Sequence, residues 1–303
     1  MTDPWSPEYT LEEQEAEKLI SAQFSEISLS QIKVLGKGFD NTVFMVNNEY
    51  VFRFPRRKVA VELLETENRL LPQLYPRLPL EIPEPIFRGE PGNGYPWPFL
   101  GYRIVKGCIP GTLTHEQRIK SAVEMAGFLK VLHTYPVSSA RTCLVPPDRL
   151  HRLNIEKRKM RLVENIEKAK VLKLLPSADE FALYAKTIQH IEVSPVQKLV
   201  HGDLHFRNIV IDPQEKICGV IDWGDTHIGH PAVDLSFVYS FFPVEARKIF
   251  FGIYGQIDEE TEQLARFKAI YTLLFLLLYG ADQQHPEVVA GAQEGLLLAV
   301  NSF

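Results

Sequence analysis

The period of the hydrophobic pattern changes along the chain. From Ile32 to Phe54 the apolar residues come in short β-rich runs, IKVLGKGFDN and TVFMVNNEYVFRFP, with Asn47-Asn48 between two alternating stretches as a hairpin turn. This half starts as an antiparallel sheet. Val59 to Leu74 then takes helical spacing, with Val61, Leu64, Leu70, Leu71 and Leu74 on one side and Glu62, Glu65, Glu67 and Arg69 elsewhere. Proline-rich stretches follow, PRLPLEIPEPIF and PGNGYPWPFLGYRIVKG, in which Gly101 to Val105 reads as one more strand before a Gly/Pro break.

Beyond Gly111 the spacing is helical. Thr114-His115-Glu116-Gln117 has the form of a capping box, and Ile119, Ala122, Val123, Ala126, Leu129 and Leu132 continue along one face. Amphipathic helices punctuated by Pro176 fill the stretch from about Asp148 to Glu192. Two strand-like segments, KLVHGDLHFRNIVID and KICGVIDWG, are joined by the turn residues Asp212-Pro213-Gln214-Glu215, and from about Leu235 the chain is helical again. The pattern predicts an α+β protein, with a β-rich N-lobe over residues 1–105, a mainly helical C-lobe over 106–303 and a cleft between them. The apolar run from Ala269 to Tyr279 is interrupted by Thr272 and falls short of the roughly 20 residues that span a bilayer, so it reads as a core helix.

Composition sharpens this picture. With 303 residues and 45% hydrophobic positions the chain buries a substantial core, and single cores seldom grow past roughly 250 residues, which favours two lobes. Thirty-three basic against thirty-eight acidic side chains, a formal charge of −5, argue against nucleic acid as the partner. Cys108, Cys143 and Cys218 lie far apart without a CxxC, so neither a disulfide framework nor a zinc site is suggested and a reducing cytosol fits. Glu12, Glu13, Glu15 and Glu17 are the reverse of a basic leader. A cytoplasmic monomer or weak dimer with no membrane partner is the expectation.

The chemistry concentrates in His201-Gly202-Asp203-Leu204-His205-Phe206-Arg207-Asn208, followed fourteen residues after Asn208 by Asp222-Trp223-Gly224. Phosphoryl transfer needs a carboxylate to orient a hydroxyl and accept its proton, and oxygen ligands to hold magnesium against phosphates. The order H-x-D-x-x-x-x-N, then D-aromatic-G, matches the kinase catalytic loop and metal motif, in which the first Asp is the base and the Asn and second Asp bind Mg2+. Either half alone is an ordinary turn; the two in order at this spacing carry the reading.

These residues resemble the aminoglycoside phosphotransferase family, kinase-like enzymes whose relatives include macrolide, choline and homoserine kinases. The characteristic stretches are here Leu199 to Asp212 and Gly219 to Leu235. The resemblance implies a protein-kinase-like two-lobed fold, a small-molecule hydroxyl acceptor, and ATP or GTP with Mg2+ as cofactors. It makes Asp203 the catalytic base, Asn208 and Asp222 the metal ligands, and His201 a support of the loop. Asp234 is retained and implies a brace for that loop, with a helix cap as the alternative. Three departures stand out: Phe206-Arg207 replaces Pro-Gly, His205 takes the position of a phosphate-contacting Lys, and His230 replaces an Asp. Arg207 either meets phosphates or faces solvent, and His205 either stabilises the transferring group or packs.

On the nucleotide side, Gly36-Lys37-Gly38-Phe39-Asp40-Asn41 sits where a phosphate loop belongs but lacks G-x-G-x-x-G, so a plain hairpin turn stays open beside it. Arg53 takes the place of the third-strand Lys, and Arg keeps the charge with a different fork geometry. Glu67 best fits its partner carboxylate, with Glu65 as rival. Phe99 to Val105 is the candidate adenine strand, with Arg103, Ile104 and Val105 as lining or simply core. Among acceptors an aminoglycoside is favoured, held by Asp225 and the Asp258-Glu259-Glu260-Glu262 cluster, with His205 near the site. A macrolide would use Phe237, Tyr239, Phe241, Phe242 and Tyr271 instead. A nucleotide-binding module without activity is the alternative of another class, disfavoured because Asp203, Asn208 and Asp222 are all present. A protein kinase is disfavoured because no Ala-Pro-Glu follows Asp222.

Overall fold

The computed structural model describes residues 7–38, 40–175 and 177–300, so Phe39 of the Gly36–Asn41 loop and Pro176 lie outside the described residues. The chain divides into two units, Met1–Lys106 and Gly107–Phe303.

In the first unit, helix α1 (Glu13–Gln23) precedes strands β1 (Ile32–Lys37), β2 (Asn41–Val46) and β3 (Tyr50–Pro55), then helix α2 (Lys58–Leu74) and strands β4 (Glu84–Gly89) and β5 (Phe99–Arg103). The sheet order is β1-β2-β3-β5-β4, antiparallel throughout. Asn47 and Asn48 both take positive φ and the Glu49 N–H donates to the Val46 carbonyl, the hairpin chemistry that two asparagines favour. One sheet face is aromatic: Phe54 stacks on Phe99 at 4.3 Å, and Ala16, Leu19 and Ile20 of α1 close over the same cluster. Such a face holds the strands because each ring buries a large apolar area.

Two parts of this unit were hidden in the sequence. Helix α1 consists largely of good helix formers and the Glu12 N–H donates to the Glu15 carboxylate in its first turn, but its glutamates read first as the reverse of a leader. Strand β4 carries Pro85 at a bulge on the sheet edge, where a missing N–H costs no ladder bond. The last strand runs Phe99–Arg103 rather than Gly101–Val105: its ladder begins at the Phe99–Gly89 pair and ends at Arg103, which faces Tyr50 on one side and Glu84 on the other.

The second unit contains α3 (His115–Ile119), α4 (Ala122–Thr134), α5 (Val137–Thr142), α6 (Ile155–Val171), α7 (Ala178–Thr187), β6 (Lys198–Val200), β7 (Ile209–Ile211), β8 (Ile217–Val220), β9 (His227–Gly229), α8 (Ala232–Phe241), α9 (Val244–Tyr254), α10 (Glu259–Asp282) and α11 (Pro286–Val300). The capping box forms between Thr114 and Gln117, but the helix expected to run on through Leu132 breaks at Ser121. The Ser121 hydroxyl instead accepts the Ile217 N–H of β8, and Val123 turns outward at 54% exposure. Helix α8 is buried along its whole length, and α10 packs against it and against α11. Helix α10 has the length and hydropathy of a membrane span, with 56% of its apolar window buried in the fold, as a core helix also has.

The two strand-like segments of the motif region do not pair with each other end to end. β7 and β8 form the hairpin whose turn is closed by Asp212 Oδ1 accepting the Gln214 and Lys216 N–H groups, whereas β6 pairs with β9. Two small ladders thus enter and leave the loop between Val200 and Ile209.

Candidate active site

Asp234 organises the loop. Fully buried in the first turn of α8, its carboxylate accepts the His201 N–H at 2.7 Å and the Gly202 N–H at 2.9 Å, and takes His133 Nε2 at 3.1 Å. Burial alone pushes a carboxyl up, but His133, the nearby His201 and the Gly202 N–H outweigh it and hold Asp234 below its ordinary range. It remains an anion, as a brace between two N–H donors requires.

His201 continues the same frame. Its Nε2 meets the Ile221 carbonyl at 3.0 Å, so that nitrogen donates and Nδ1 is left to accept the Asp203 N–H at 3.3 Å. The ring also packs edge-on to Trp223 at 4.9 Å. His201 therefore ties the segment carrying Asp203 to the segment carrying Asp222. Gly202 permits the turn: its φ is +91°, and a Cβ there would stand 2.1 Å from the Asp225 carbonyl oxygen. Gly202→Ala should lose roughly 1–3 kcal/mol of stability from this backbone conflict; an unchanged thermal midpoint would contradict that account.

Asp203 emerges from this frame with its side chain 36% exposed, 3.4 Å from His205 Nε2. Partial burial raises its pKa, but His205, Lys268 and His201 overcome that and hold it well below the usual carboxylate range. It is ionised at neutral pH. Asn208 Nδ2 donates to the Asp203 carbonyl at 2.8 Å and reaches its carboxylate at 3.3 Å, which leaves the amide oxygen as the outward acceptor. The Ile221 N–H donates to the Asn208 carbonyl at 2.9 Å, bringing Asn208 beside Asp222. Asp222 sits at φ 65°, ψ 70°, a left-handed conformation uncommon for a non-glycine residue, anchored by buried Trp223, whose Nε1 donates to the Val220 carbonyl. One amide oxygen and one carboxylate suit Mg2+, which takes few protein oxygens and completes its shell with phosphates and water. The donor set fits the metal that the motif implies.

The remaining motif residues have defined places. His205 Nδ1 accepts the Arg207 N–H, and Arg207 lies over the Tyr279 ring at 5.5 Å. His230 is buried and its Nδ1 accepts the Ala232 N–H, which makes it a local brace at the start of α8. Asp225 gives its carboxylate to Arg152, which also binds Asp148 at 2.8 Å. The acidic cluster is similarly engaged: Asp258 caps α10 by accepting the Thr261 N–H, Glu260 accepts the Ser194 N–H, and Glu262 binds Arg266 at 2.8 Å. Glu259 and Glu262 line a hollow of about 970 Å3 with Tyr184 and Arg266, and none of the motif residues line it. Phe237, Tyr239, Phe241 and Phe242 are core, while Tyr271 is half-buried beneath Arg158.

Within the first unit, Arg53 Nη1 lies 2.9 Å from both oxygens of Glu67, which is 3% exposed and also receives the Tyr102 hydroxyl at 3.1 Å. The rival Glu65 binds Arg88 at 3.0 Å instead. Gly36 lies at a bulge in β1, Lys37 reaches Glu12 at 3.7 Å, and the Gly38 N–H donates to the Asn41 carbonyl, so this segment is a β1–β2 hairpin turn. Arg103 is exposed and faces Glu49, and half-buried Val105 follows the end of β5. Lys268 and Arg152 were missed in the sequence. Nothing local marks them, since their proximity to Asp203 and Asp225 arises only when α10 and the segment before α6 fold together.

Similar proteins agree with this architecture. The GDP complex of wild-type aminoglycoside 2'-phosphotransferase-IIIa superposes with a TM-score of 0.68 at 25% identity, covering 97% of this chain and 100% of that one. The GDP and kanamycin complex of APH(2")-IIIa gives 0.65 at 25% identity, covering 95% and 99%. A macrolide 2'-phosphotransferase type I shares the fold at 0.57 and 19% identity, covering 95% and 98%. A 78-residue stretch is 31% identical to acyl-CoA dehydrogenase family member 11 of Pongo abelii, and this match covers 25% of the chain and about a tenth (10%) of that protein's length. The five-stranded antiparallel sheet and the helical second unit are thus a protein-kinase-like α+β fold. The phosphotransferase enzyme family model matches residues 31–270, and the chain belongs to that family as a small-molecule kinase.

Proposed function

We propose that this chain transfers the γ-phosphoryl group of Mg2+-bound ATP or GTP to a hydroxyl of a small molecule, with Asp203 as the base and Asn208 and Asp222 as the metal ligands. The observation that carries this reading is the single braced frame, Asp234 to His201 to Ile221, from which all three residues project. Ionised Asp203 accepts a hydrogen bond from the acceptor hydroxyl and turns its oxygen toward the γ-phosphorus. The new O–P bond forms as the bond to the β,γ-bridging oxygen breaks; the hydroxyl proton passes to Asp203, and the products are a nucleoside diphosphate and a phosphate monoester. Because the transition state is loose, that proton leaves late, so an orienting carboxylate of low basicity suffices. Bound Mg2+ would supply neutralisation of the phosphate charge at Asn208 and Asp222. In the first unit, Arg53 oriented by Glu67 is the proposed phosphate contact, the Gly36, Lys37, Gly38 and Asn41 turn the proposed phosphate loop, and the backbone at Arg103 to Val105 the proposed adenine contact.

An aminoglycoside is one acceptor reading, supported by the kanamycin complex of a structure 25% identical to this chain. It asks for free carboxylates, and Asp225 and the 258–262 cluster are already engaged. A second reading, an anionic acceptor, is favoured by Lys268 and Arg207 near Asp203. A coupled nucleotide-turnover screen of aminoglycosides, macrolides, choline, amino alcohols and hydroxy acids, with ATP and GTP compared, tests the transfer itself.

Asp222→Asn should weaken Mg2+-nucleotide affinity as well as turnover, since a metal ligand neutralises phosphate charge in ground and transition states alike. Raised Mg2+ should partly restore both. Calorimetry at limiting Mg2+ that finds wild-type affinity in the variant removes Asp222 from the metal site.

A further inference from the structure

Lys268 is the only charged residue of α10 between Phe267 and Ala281, a stretch otherwise almost wholly apolar. It is half-buried, and its Nζ donates to Thr272 Oγ1 at 2.6 Å, which uses one of its three protons. Among the described residues it forms no ion pair within 4.0 Å, although a partly desolvated ammonium without an anion is costly. Asp203 and Lys268 lie close enough for each charge to act on the other, without a direct bridge.

The helix face around Lys268 combines aromatic rings with cations. At 3.6 residues per turn, Lys268, Phe275 and Tyr279 fall on one face with Tyr271 and Thr272 at its sides. Phe275 is 52% exposed although α10 is a core helix. Arg158 covers Tyr271 at 5.1 Å, and Arg207 covers Tyr279 at 5.5 Å from the catalytic loop itself, two residues after His205. The face therefore runs beside Asp203 and carries cations and aromatic rings, while the nearby Asp225 and Asp148 are occupied by Arg152.

We infer that the alcohol phosphorylated at Asp203 carries a negatively charged group, a carboxylate or phosphate, that binds Lys268 while its apolar or aromatic body lies along Tyr271 and Phe275. This rests on the phosphotransferase reading and names its acceptor class. Lys268 is a substrate-binding residue in this assignment, and the anion supplies the partner that the ammonium lacks. A polycationic acceptor would meet repulsion at the same place.

Three alcohols on one skeleton separate the alternatives: 4-(hydroxymethyl)benzoate, the neutral 4-methylbenzyl alcohol and 4-(hydroxymethyl)benzylamine. Their affinities for the wild-type full chain are measured by ligand-observed NMR without nucleotide, and their phosphorylation with Mg2+ and ATP or GTP. The benzoate should bind about 10-fold more tightly than the neutral alcohol, as a charge-assisted contact allows, with the benzylamine weakest. Lys268→Gln should bring the benzoate and the neutral alcohol to within about 2-fold of each other at unchanged Mg2+-nucleotide affinity, and Lys268→Glu should reverse the order in favour of the benzylamine. Equal wild-type binding of the three, binding of none, preference for the benzylamine, or a benzoate preference that survives Lys268→Gln each overturns the inference. The wild-type ranking decides alone if a variant fails to fold. If the benzylamine is preferred and phosphorylated, the transfer reading stands and this inference falls. If the benzoate binds through Lys268 but no alcohol in any screen is phosphorylated, the anion site stands and the transfer reading falls.

Discussion

Asp203→Asn is expected to lower turnover by about 10² to 10⁴ while leaving Mg2+-nucleotide affinity nearly unchanged, the range that removal of a general base commonly costs. The substitution is close to isosteric, so the Asn208 bond to the residue 203 carbonyl survives and the proposed metal ligands stay in place. What disappears is the anion that orients the hydroxyl and takes its proton. The residual rate measures positioning and phosphate neutralisation, which supply most of the catalysis in this chemistry. Pre-steady-state kinetics should therefore show a slow chemical step with normal nucleotide binding, and equal turnover by both proteins would remove Asp203 from the mechanism. The pH profile offers an independent check. The pKa of Asp203 is depressed below 3.8, so the carboxylate stays ionised as pH falls toward that value, and protonation of this group should produce no acid limb near neutral pH. A limb at neutral pH that vanishes in Asp203→Asn would contradict the electrostatics described here.

The proposed catalytic loop was legible because its residues lie within one short stretch. His201, Asp203 and Asn208 must share a turn, and a strand on either side must hold it, so spacing and hydrophobic pattern carried the information together. The Arg53–Glu67 pair was half legible. Arginine in a strand and glutamate in the next helix are common, and choosing Glu67 over Glu65 needed family spacing; the structure brings Glu67 to Arg53 because it lies on the buried side of α2 with Ala60, Leu64 and Leu71, whereas Glu65 points to Arg88. The acceptor side was barely legible. Asp225 looked like a free carboxylate because the sequence does not reveal that Arg152 folds onto it from 73 residues away. Lys268 was invisible for a related reason: an isolated lysine in an apolar helix reads as a surface interruption until the tertiary fold brings it within electrostatic reach of Asp203. Strand β4 failed differently, because Pro85 argues against a strand, whereas α1 is made largely of good helix formers and its glutamates read first as the reverse of a leader.

Asp234→Ala is expected to cost about 3–5 kcal/mol, the range for removing one partner of a buried charged network, and to reduce turnover beyond what the stability loss explains. Both consequences follow from what the carboxylate holds. With it gone, the His201 and Gly202 N–H groups and His133 Nε2 lose their shared acceptor inside the protein, and each unsatisfied buried donor carries a desolvation penalty. The loop then relaxes. His201 moves relative to the Ile221 carbonyl, and Asp203 and Asp222 lose their common reference although neither is mutated. Asp234→Asn should fall between wild type and alanine, because its amide oxygen still accepts one N–H while its amide nitrogen faces another donor. The acid dependence has a fixed sign: the pKa of Asp234 is depressed in the folded state, so its stabilisation is complete above the ordinary value of 3.8 and is lost as pH falls through the lower folded value. The wild-type advantage over alanine should therefore persist at neutral pH and shrink in strong acid. Chemical denaturation of the three proteins at neutral and acidic pH, with turnover measured well below each thermal midpoint, tests the account. If alanine unfolds like wild type and keeps its activity, Asp234 is not the brace of the catalytic loop.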